Sequence, residues 1–148
     1  MTQPRPQRAF PPSPPGSLLK SAERGATAQA QDASEEVSGV AYLRLVRSCP
    51  CLKCGLDPCG LAAHLRMNSG AFNKRQAMQK KPQPKWTTPL CAGCHTEDRD
   101  AQHRVGEAAF WMRLGINPFL VCEQLYAKRS DLVAMRAVIF STIAQRGK

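Results

Sequence analysis

Two Cys-x-x-Cys pairs constrain this chain more than any other feature of its sequence. Cys51 and Cys54 form the first pair, and Cys91 and Cys94 form the second. The two-residue spacer lets both thiolates of a pair reach one ion, and four thiolates complete the tetrahedral shell of zinc. The sequence therefore predicts one Zn²⁺ bound by these four cysteines. Because a four-thiolate site has no open position, this ion is expected to be structural.

The composition indicates the class of partner and the compartment. The 148 residues include 21 Lys and Arg against 11 Asp and Glu, which gives a net charge of +10. Such an excess favours a polyanionic partner, most often nucleic acid. The chain shows no apolar signal segment and no run that could span a bilayer, so we expect no membrane association and a reducing, cytoplasmic setting. The sequence makes no prediction of oligomeric state.

Three cysteines lie outside the two pairs. Cys122 falls in an apolar helical pattern and is expected in the core. Cys49 and Cys59 flank the first pair, and either one is a free thiol or a substitute metal ligand.

The chain divides by composition into three parts. Residues 1–36 form a basic tail rich in proline, which is predicted to be disordered because it can bury too little apolar surface. Residues 37–128 are the predicted folded domain, and residues 129–148 are a C-terminal helix. Short apolar runs predict strands at 61–65 and 86–90, and helical patterns surround them. The expected fold class is α+β.

Local signals place the helices after the second cysteine pair. A helix is expected to begin at His95, directly after the last cysteine. The next helix should end at Gly115. Its apolar face is predicted to comprise Val105, Ala108, Ala109 and Met112, and Phe110 and Trp111 add apolar bulk. Asn117 followed by proline predicts a third start, and Ser130 or Asp131 is expected to cap the last helix.

The segment between and just after the pairs carries the residues that suit nucleic-acid chemistry. It contains all three histidines of the chain, His64, His95 and His103. Between Gly60 and Leu90 there is no acidic residue, which favours a loop that faces phosphates. The basic residues of this loop are Arg66, Lys74, Arg75, Lys80, Lys81 and Lys85.

The order of these motifs resembles the zinc-binding branch of the HNH (ββα-metal, His-Me finger) endonucleases. The residues that carry the resemblance are Cys51-x-x-Cys54, Ala63-His64, Pro89-Leu90-Cys91-x-x-Cys94-His95, His103, Gly106-Glu107 and Phe110-Trp111. Within that family the chain is most similar to the phage and prophage Ref-like recombination-enhancement nucleases. The similarity covers residues 40–127, without the first third of the chain and the last helix.

The resemblance implies both a fold and an activity. The fold would be a small ββα-metal unit held together by the zinc and wrapped by several helices. The activity would be metal-dependent hydrolysis of DNA phosphodiester bonds, with His64 as the general base and His95 and His103 as ligands of a catalytic Mg²⁺ or Mn²⁺. By analogy, a recombinase or a phage packaging protein would be the protein partner.

Some positions differ from the usual family pattern. Ala63 stands where many members have an acidic residue or a second histidine before the base. Pro84 and Lys85 occupy the region of a frequent aspartate, and Arg99 stands where a second ligand often follows on the helix. The candidates to replace that ligand are His103, Asp98 and Asp100.

Two other classes of function also account for parts of the sequence. A non-catalytic zinc module that binds DNA or RNA would keep the zinc and the basic loop, with His64 as a packed core residue. A redox or zinc-storage protein would explain the additional cysteines but would leave the histidines and the basic loop without a role.

Overall fold

The computed structural model describes residues 38–75 and 81–146, which form an α+β fold. The elements are α1 (38–47), β1 (Leu61–His64), β2 (Thr87–Leu90), a π-helical turn (Gly93–Glu97), α2 (Gln102–Val105), α3 (Glu107–Leu114), α4 (Pro118–Ala127) and α5 (Leu132–Gln145). The predicted fold class is confirmed. The predictions for the tail of residues 1–36 and for Lys80 concern parts of the chain that lie outside the described residues.

The two strands form an antiparallel pair at both predicted positions. The register joins Leu61 to Leu90, Ala62 to Pro89, Ala63 to Thr88 and His64 to Thr87. Every residue of β2 is buried, so its threonine hydroxyls need partners inside the protein. Thr87 Oγ1 donates to the Pro84 carbonyl at 2.9 Å, and Thr88 Oγ1 donates to the Ala63 carbonyl at 3.4 Å. This register leaves His64 at one end of the sheet.

The residues predicted to start and end the later helices are confirmed, although α5 covers Leu132–Gln145 within the predicted range 129–148. Gly115 ends α3 in the left-handed conformation with φ of 65°. The Asn117 side chain accepts hydrogen bonds from the first backbone N–H groups of α4, including that of Phe119 at 3.1 Å. Asp131, one of the two candidate caps, accepts from the N–H of Ala134 at 3.0 Å at the start of α5.

The helix predicted to begin at His95 is interrupted. Only one π-helical turn forms, because Asp98 adopts an extended conformation and its N–H closes the turn onto the Gly93 carbonyl. The chain becomes helical again at Gln102, and Gly106, with φ of 89°, then separates α2 from α3. His95 and His103 therefore lie on separate short elements instead of one continuous helix.

The predicted apolar face of the helix that ends at Gly115 is only partly correct. Val105 packs against the core from α2, and Phe110 and Trp111 are buried, but Met112 is 79% exposed. The aromatic side chains bury far more apolar area than the alanines of the predicted face, so they determine which side of the helix faces the core.

The core lies where the sheet meets the C-terminal helices. Helix α4 packs against both β2 and α5. Cys122 is buried on α4 and donates from Sγ to the Thr87 carbonyl at 3.2 Å, in agreement with its predicted core position. Met135 and Ile139 of α5 are fully buried. In the described part of the chain, no helix combines the length and the apolar character needed to cross a bilayer.

Helix α5 also supports the loop that carries the first cysteine pair. The Arg136 guanidinium donates to the Ser48 carbonyl at 2.9 Å and forms an ion pair with Asp57. Arg146 donates to the Leu52 carbonyl at 2.8 Å. These bonds connect the end of the chain to both sides of Cys51.

Candidate metal centre and histidine cleft

The four cysteines of the two pairs converge on one point. The sulfur atoms of Cys51, Cys54, Cys91 and Cys94 all lie within 4.8 Å of one another. The Sγ atoms of Cys54 and Cys91 are 3.6 Å apart. Four sulfurs at the Zn–S bond length would be separated by about 3.8 Å in a tetrahedron. The group can therefore hold a metal ion, as the spacing of the pairs predicted.

Backbone hydrogen bonds shape the two loops that present these sulfurs. In the first loop, the Gly55 N–H donates to the Cys51 carbonyl at 2.9 Å, with Gly55 at φ of 79°. The Leu52 N–H donates to the Pro89 carbonyl at 3.0 Å, which fastens this loop to β2. In the second loop, the Cys94 N–H points to Cys91 Sγ at 3.5 Å. Both pairs are thus attached to the same strand, because the second loop follows β2 directly.

The remaining cysteines do not belong to this group. Cys49 Sγ donates to the Leu45 carbonyl at 3.4 Å, and Cys59 Sγ donates to the Leu61 carbonyl at 3.1 Å. Burial raises the pKa of both Cys49 and Cys59 to about 11, so both remain thiols at neutral pH. Among the described residues, the sulfur group consists of the two predicted pairs, and neither flanking cysteine replaces a member.

Cysteines of this group differ in the direction of their pKa shifts. Burial raises the pKa of Cys54 and of Cys94. Burial would also raise that of Cys51, but N–H groups of the surrounding backbone lower it below its ordinary value. A cation must therefore displace protons from some of these thiols, and metal affinity should fall in acid.

The structure brings the three histidines to one region beside this metal centre. His64, at the end of β1, and His103, on α2, line a common cleft of about 170 Å³. The rings of His95 and His103 meet edge to face with 4.5 Å between centroids. His95 directly follows Cys94, so the second cysteine loop positions it. His64 and His95 were expected to lie near one another. His103 links them, because it shares the cleft with His64 and contacts the ring of His95.

Two of these imidazoles are held in the neutral form at pH 7. Burial lowers the pKa of His64 below its ordinary 6.5, and the nearby charge of Arg47 lowers it further. Burial also lowers the pKa of His95, with contributions from His103 and Arg66. A neutral imidazole can accept a proton or bind a metal ion, so both can perform the chemistry expected of them.

Glu107 is a residue of the cleft to which the sequence reasoning assigned no role. It begins α3, and its carboxylate accepts from the N–H of Arg66 at 3.0 Å and from that of Met67 at 2.8 Å. It also accepts from Gln102 Nε2 at 3.2 Å. The carboxylate thereby joins the segment after His64 to the element that carries His103. Only its place in the Gly-Glu pair of the family pattern pointed to it in the sequence.

Gln102 also lines the cleft and was not predicted. Its side chain is 2% exposed, and Glu107 fixes its orientation through Nε2. Its Oε1 atom has no hydrogen-bond partner among the described residues, and neither does Nδ1 of His64. Two residues that line one cleft thus retain unused polar atoms, which is typical of a site that binds a water or a substrate group.

The basic residues of the predicted loop have different environments in the structure. Arg66 lines the cleft, and Arg75 and Lys81 are exposed. Lys74 is only 5% exposed and donates from Nζ to the Met67 carbonyl at 2.5 Å, so it stabilises the loop from within. Lys85 forms an ion pair with Glu123 at 2.5 Å and lies over the Trp86 ring.

The other candidate ligands do not line the cleft. Asp100 forms an ion pair with Lys53 at 2.6 Å, and the Asp98 carboxylate lies against Gly93. Ala63, at the position before His64, is buried in the sheet. His103 is therefore the candidate that the structure places beside His95.

No family model, curated protein or solved structure matches this chain.

Proposed function

We propose that this protein is a metal-dependent DNA endonuclease of the HNH type, built on a zinc-held ββα-metal unit. The observation that supports this most is the group of three histidines beside a four-cysteine metal centre. His64 lies on the first strand, and His95 and His103 lie on the two short helical elements that follow the second strand. A strand, a second strand and a helical segment in this order constitute the proposed unit.

The four cysteines hold Zn²⁺ in this proposal. The ion ties the loop before β1 to the loop after β2, so it sets the position of His95 relative to His64. Cys51 and Cys94 are buried, and their loops make the backbone bonds described above. The proposed role of this zinc is purely structural because all four of its positions are taken by sulfur.

His64 acts as the general base. Its neutral imidazole takes a proton from the attacking water while the water oxygen bonds to phosphorus and the bond from phosphorus to the 3′-oxygen breaks. The 3′-oxygen leaves with the bonding electrons and is protonated from solvent. Arg66 and the exposed basic residues of the loop, Arg75 and Lys81, hold the phosphate backbone without contacting base edges.

His95 and His103 would hold the catalytic ion, Mg²⁺ or Mn²⁺. Such an ion supplies charge stabilisation for the phosphate and the leaving 3′-oxygen when bound. The support for this role is that imidazole nitrogen is a metal ligand, that the two rings lie next to each other and that His103 also lines the cleft. The carboxylate of Glu107 is occupied by backbone and amide donors. Since the donor set consists of nitrogen, we expect Mn²⁺ to support activity at lower concentrations than Mg²⁺.

The test is nicking of supercoiled plasmid by the purified zinc protein, with Mn²⁺ or Mg²⁺ titrated in. Conversion to open-circular DNA that requires the added ion supports the proposal. Equal rates with and without the added ion, after removal of trace metal by a weak chelator that spares the zinc, would contradict it.

One observation favours a non-catalytic zinc module that binds nucleic acid. Ala63 supplies no ligand, and the carboxylate of Glu107 is not free to bind a hard cation. A protein that binds DNA with strong salt dependence but never cuts it, in Mg²⁺ or in Mn²⁺, would establish this second function.

The acid limit of the nicking rate tests the role of His64. Because burial and Arg47 keep the pKa of His64 below 6.5, the base should remain neutral down to that pH. We expect a constant rate from pH 8 to near 6.5 and a tenfold fall for each pH unit below the pKa. The measurement is the initial nicking rate in buffers of constant ionic strength. A rate that already declines above pH 7, with zinc content unchanged, would show that another group limits it.

Replacement of Glu107 by glutamine tests how the cleft is assembled. The amide has the same shape but puts a donor NH₂ group in place of one acceptor oxygen, so the bonds to Arg66, Met67 and Gln102 cannot all persist. We expect at least a tenfold lower nicking rate with zinc retained, and faster amide exchange at those two residues. Glu123→Gln is the matched control, because Glu123 lies on α4 and its carboxylate pairs with Lys85. Equal effects of the two substitutions would remove the special role of Glu107.

A further inference from the structure

Two exposed arginines lie near the two ends of the strand that carries His64, and one of them lies outside the basic loop. Arg66 lines the cleft just after β1. Arg47 ends α1, and its carbonyl accepts from the N–H of Gly60 at 3.1 Å, directly before β1 begins. The two arginines are therefore placed at opposite ends of the strand that carries His64.

Neither guanidinium group is neutralised within the described part of the chain. Arg136 pairs with Asp57 and Lys53 pairs with Asp100, but the described residues provide no such partner for Arg47 or Arg66. An exposed cation without a local counter-charge is free to neutralise a phosphate. The bond to Gly60, directly before β1, puts Arg47 beside the start of the strand that carries His64, in agreement with the lowering of the pKa of His64 by burial and by the charge of Arg47.

The cleft holds one carboxylate, on Glu107, which accepts hydrogen bonds from the N–H groups of Arg66 and Met67 and from Gln102. The positive charges of Arg47 and Arg66 together outweigh this single negative charge. Of the basic side chains, arginine is the one whose planar guanidinium group matches phosphate oxygens best, because it can donate two parallel hydrogen bonds.

We propose that Arg47 and Arg66 each contact one backbone phosphate of duplex DNA, and that the DNA backbone runs along β1 past His64. This proposal rests on the proposed function for the identity of the ligand. The four residues of β1, Leu61–His64, separate the two arginines by about 13 Å along the strand. The end of α1 is thereby assigned to the DNA-binding surface together with the loop after β1.

The experiment measures affinity for a fluorescent DNA duplex as a function of salt, without Mg²⁺ or Mn²⁺ and with the zinc bound. Each phosphate contact contributes about 0.9 to the slope of log K against log salt. Arg47→Gln should lower the magnitude of that slope by about 0.9 and weaken binding about eightfold at 0.1 M salt. Arg47→Lys keeps the charge and should keep the slope. The double variant with Arg66→Gln should lose about 1.8.

Arg129→Gln is the matched control, since it removes the same charge elsewhere. Arg129 lies over the Tyr126 ring and lines a groove along α1 with Ser38 and Leu45, and it is not among the residues that line the cleft with His64. Arg129→Gln should leave the slope unchanged.

Each outcome decides the proposal. A slope that falls with Arg47→Gln and not with Arg129→Gln supports it. Equal losses in both variants would mean that only net charge matters, and absence of binding by the wild type would also overturn it. Failure of the proposed nuclease function can be distinguished from failure of this inference. A protein that keeps the Arg47-dependent slope but never nicks plasmid would contradict only the nuclease function. Conversely, a protein that nicks while Arg47→Gln keeps the slope would overturn only this inference.

Discussion

Replacement of His64 by alanine is expected to abolish plasmid nicking while the zinc stays bound. The substitution removes the imidazole that would accept the proton of the attacking water. Loss of a general base costs about 100-fold to 10,000-fold in rate. His64 lies at the end of β1 and is half-buried, and the four cysteines are on other segments, so the metal centre should survive. The measurements are the initial nicking rate and the zinc content of the same preparation.

The control for His64→Ala separates a base from a metal ligand. His103→Ala should also reduce nicking, but a large excess of Mn²⁺ should recover part of its activity, because a weaker site fills at high ion concentration. Excess Mn²⁺ should not rescue His64→Ala. If His64→Ala nicked plasmid at a rate within threefold of the wild type, His64 would not be the general base, and the proposed reaction would have no candidate for that role.

Loss of one zinc ligand is expected to unfold the domain. Zinc binding to four-ligand sites contributes on the order of 10 kcal/mol to folding. That contribution is comparable to the total stability of a domain of this size. Cys94→Ser should therefore purify without stoichiometric zinc and lack a cooperative thermal transition. A strong chelator should produce the same result in the wild type. The effect should be larger at low pH, where protons compete with the metal ion for the thiolates.

Cys49→Ser provides the matched comparison for Cys94→Ser. Cys49 is also buried and lies two residues before Cys51, but its Sγ is hydrogen-bonded to the Leu45 carbonyl outside the sulfur group. This variant should retain one zinc per chain and a cooperative transition. If Cys94→Ser also kept one zinc and the same transition, the assignment of the four ligands would be wrong.

The sequence predicted those parts of the fold that depend on neighbours along the chain. The two cysteine loops form because two thiolates three residues apart can meet at one point, and the strands form where short apolar runs follow or precede them. Asn117, Asp131 and Gly115 act through backbone groups within a few residues. Such local chemistry is visible without knowledge of the rest of the molecule.

The cleft could be predicted only in part, because its geometry depends on contacts between segments that are distant in the sequence. The order of His64, His95 and His103 indicated a common site, but which histidines meet depends on the break at Asp98 and on the restart at Gln102. The roles of Gln102 and Glu107 arise from contacts between distant segments, which no periodicity in the sequence displays. Composition alone could not distinguish a solvated lysine from a buried one such as Lys74.

By itself, the sequence determined that four cysteines converge into a group that can hold a metal ion on an α+β scaffold, because the spacing of the cysteines and the hydrophobic pattern are local properties. The tertiary structure alone decided what surrounds the three histidines. Glu107 reaches back over about 40 residues of chain to the segment after β1. Arg136 and Arg146 brace the first cysteine loop from the far end of the protein. Contacts of this range depend on how helices and strands pack, since only packing brings such distant residues within hydrogen-bonding distance.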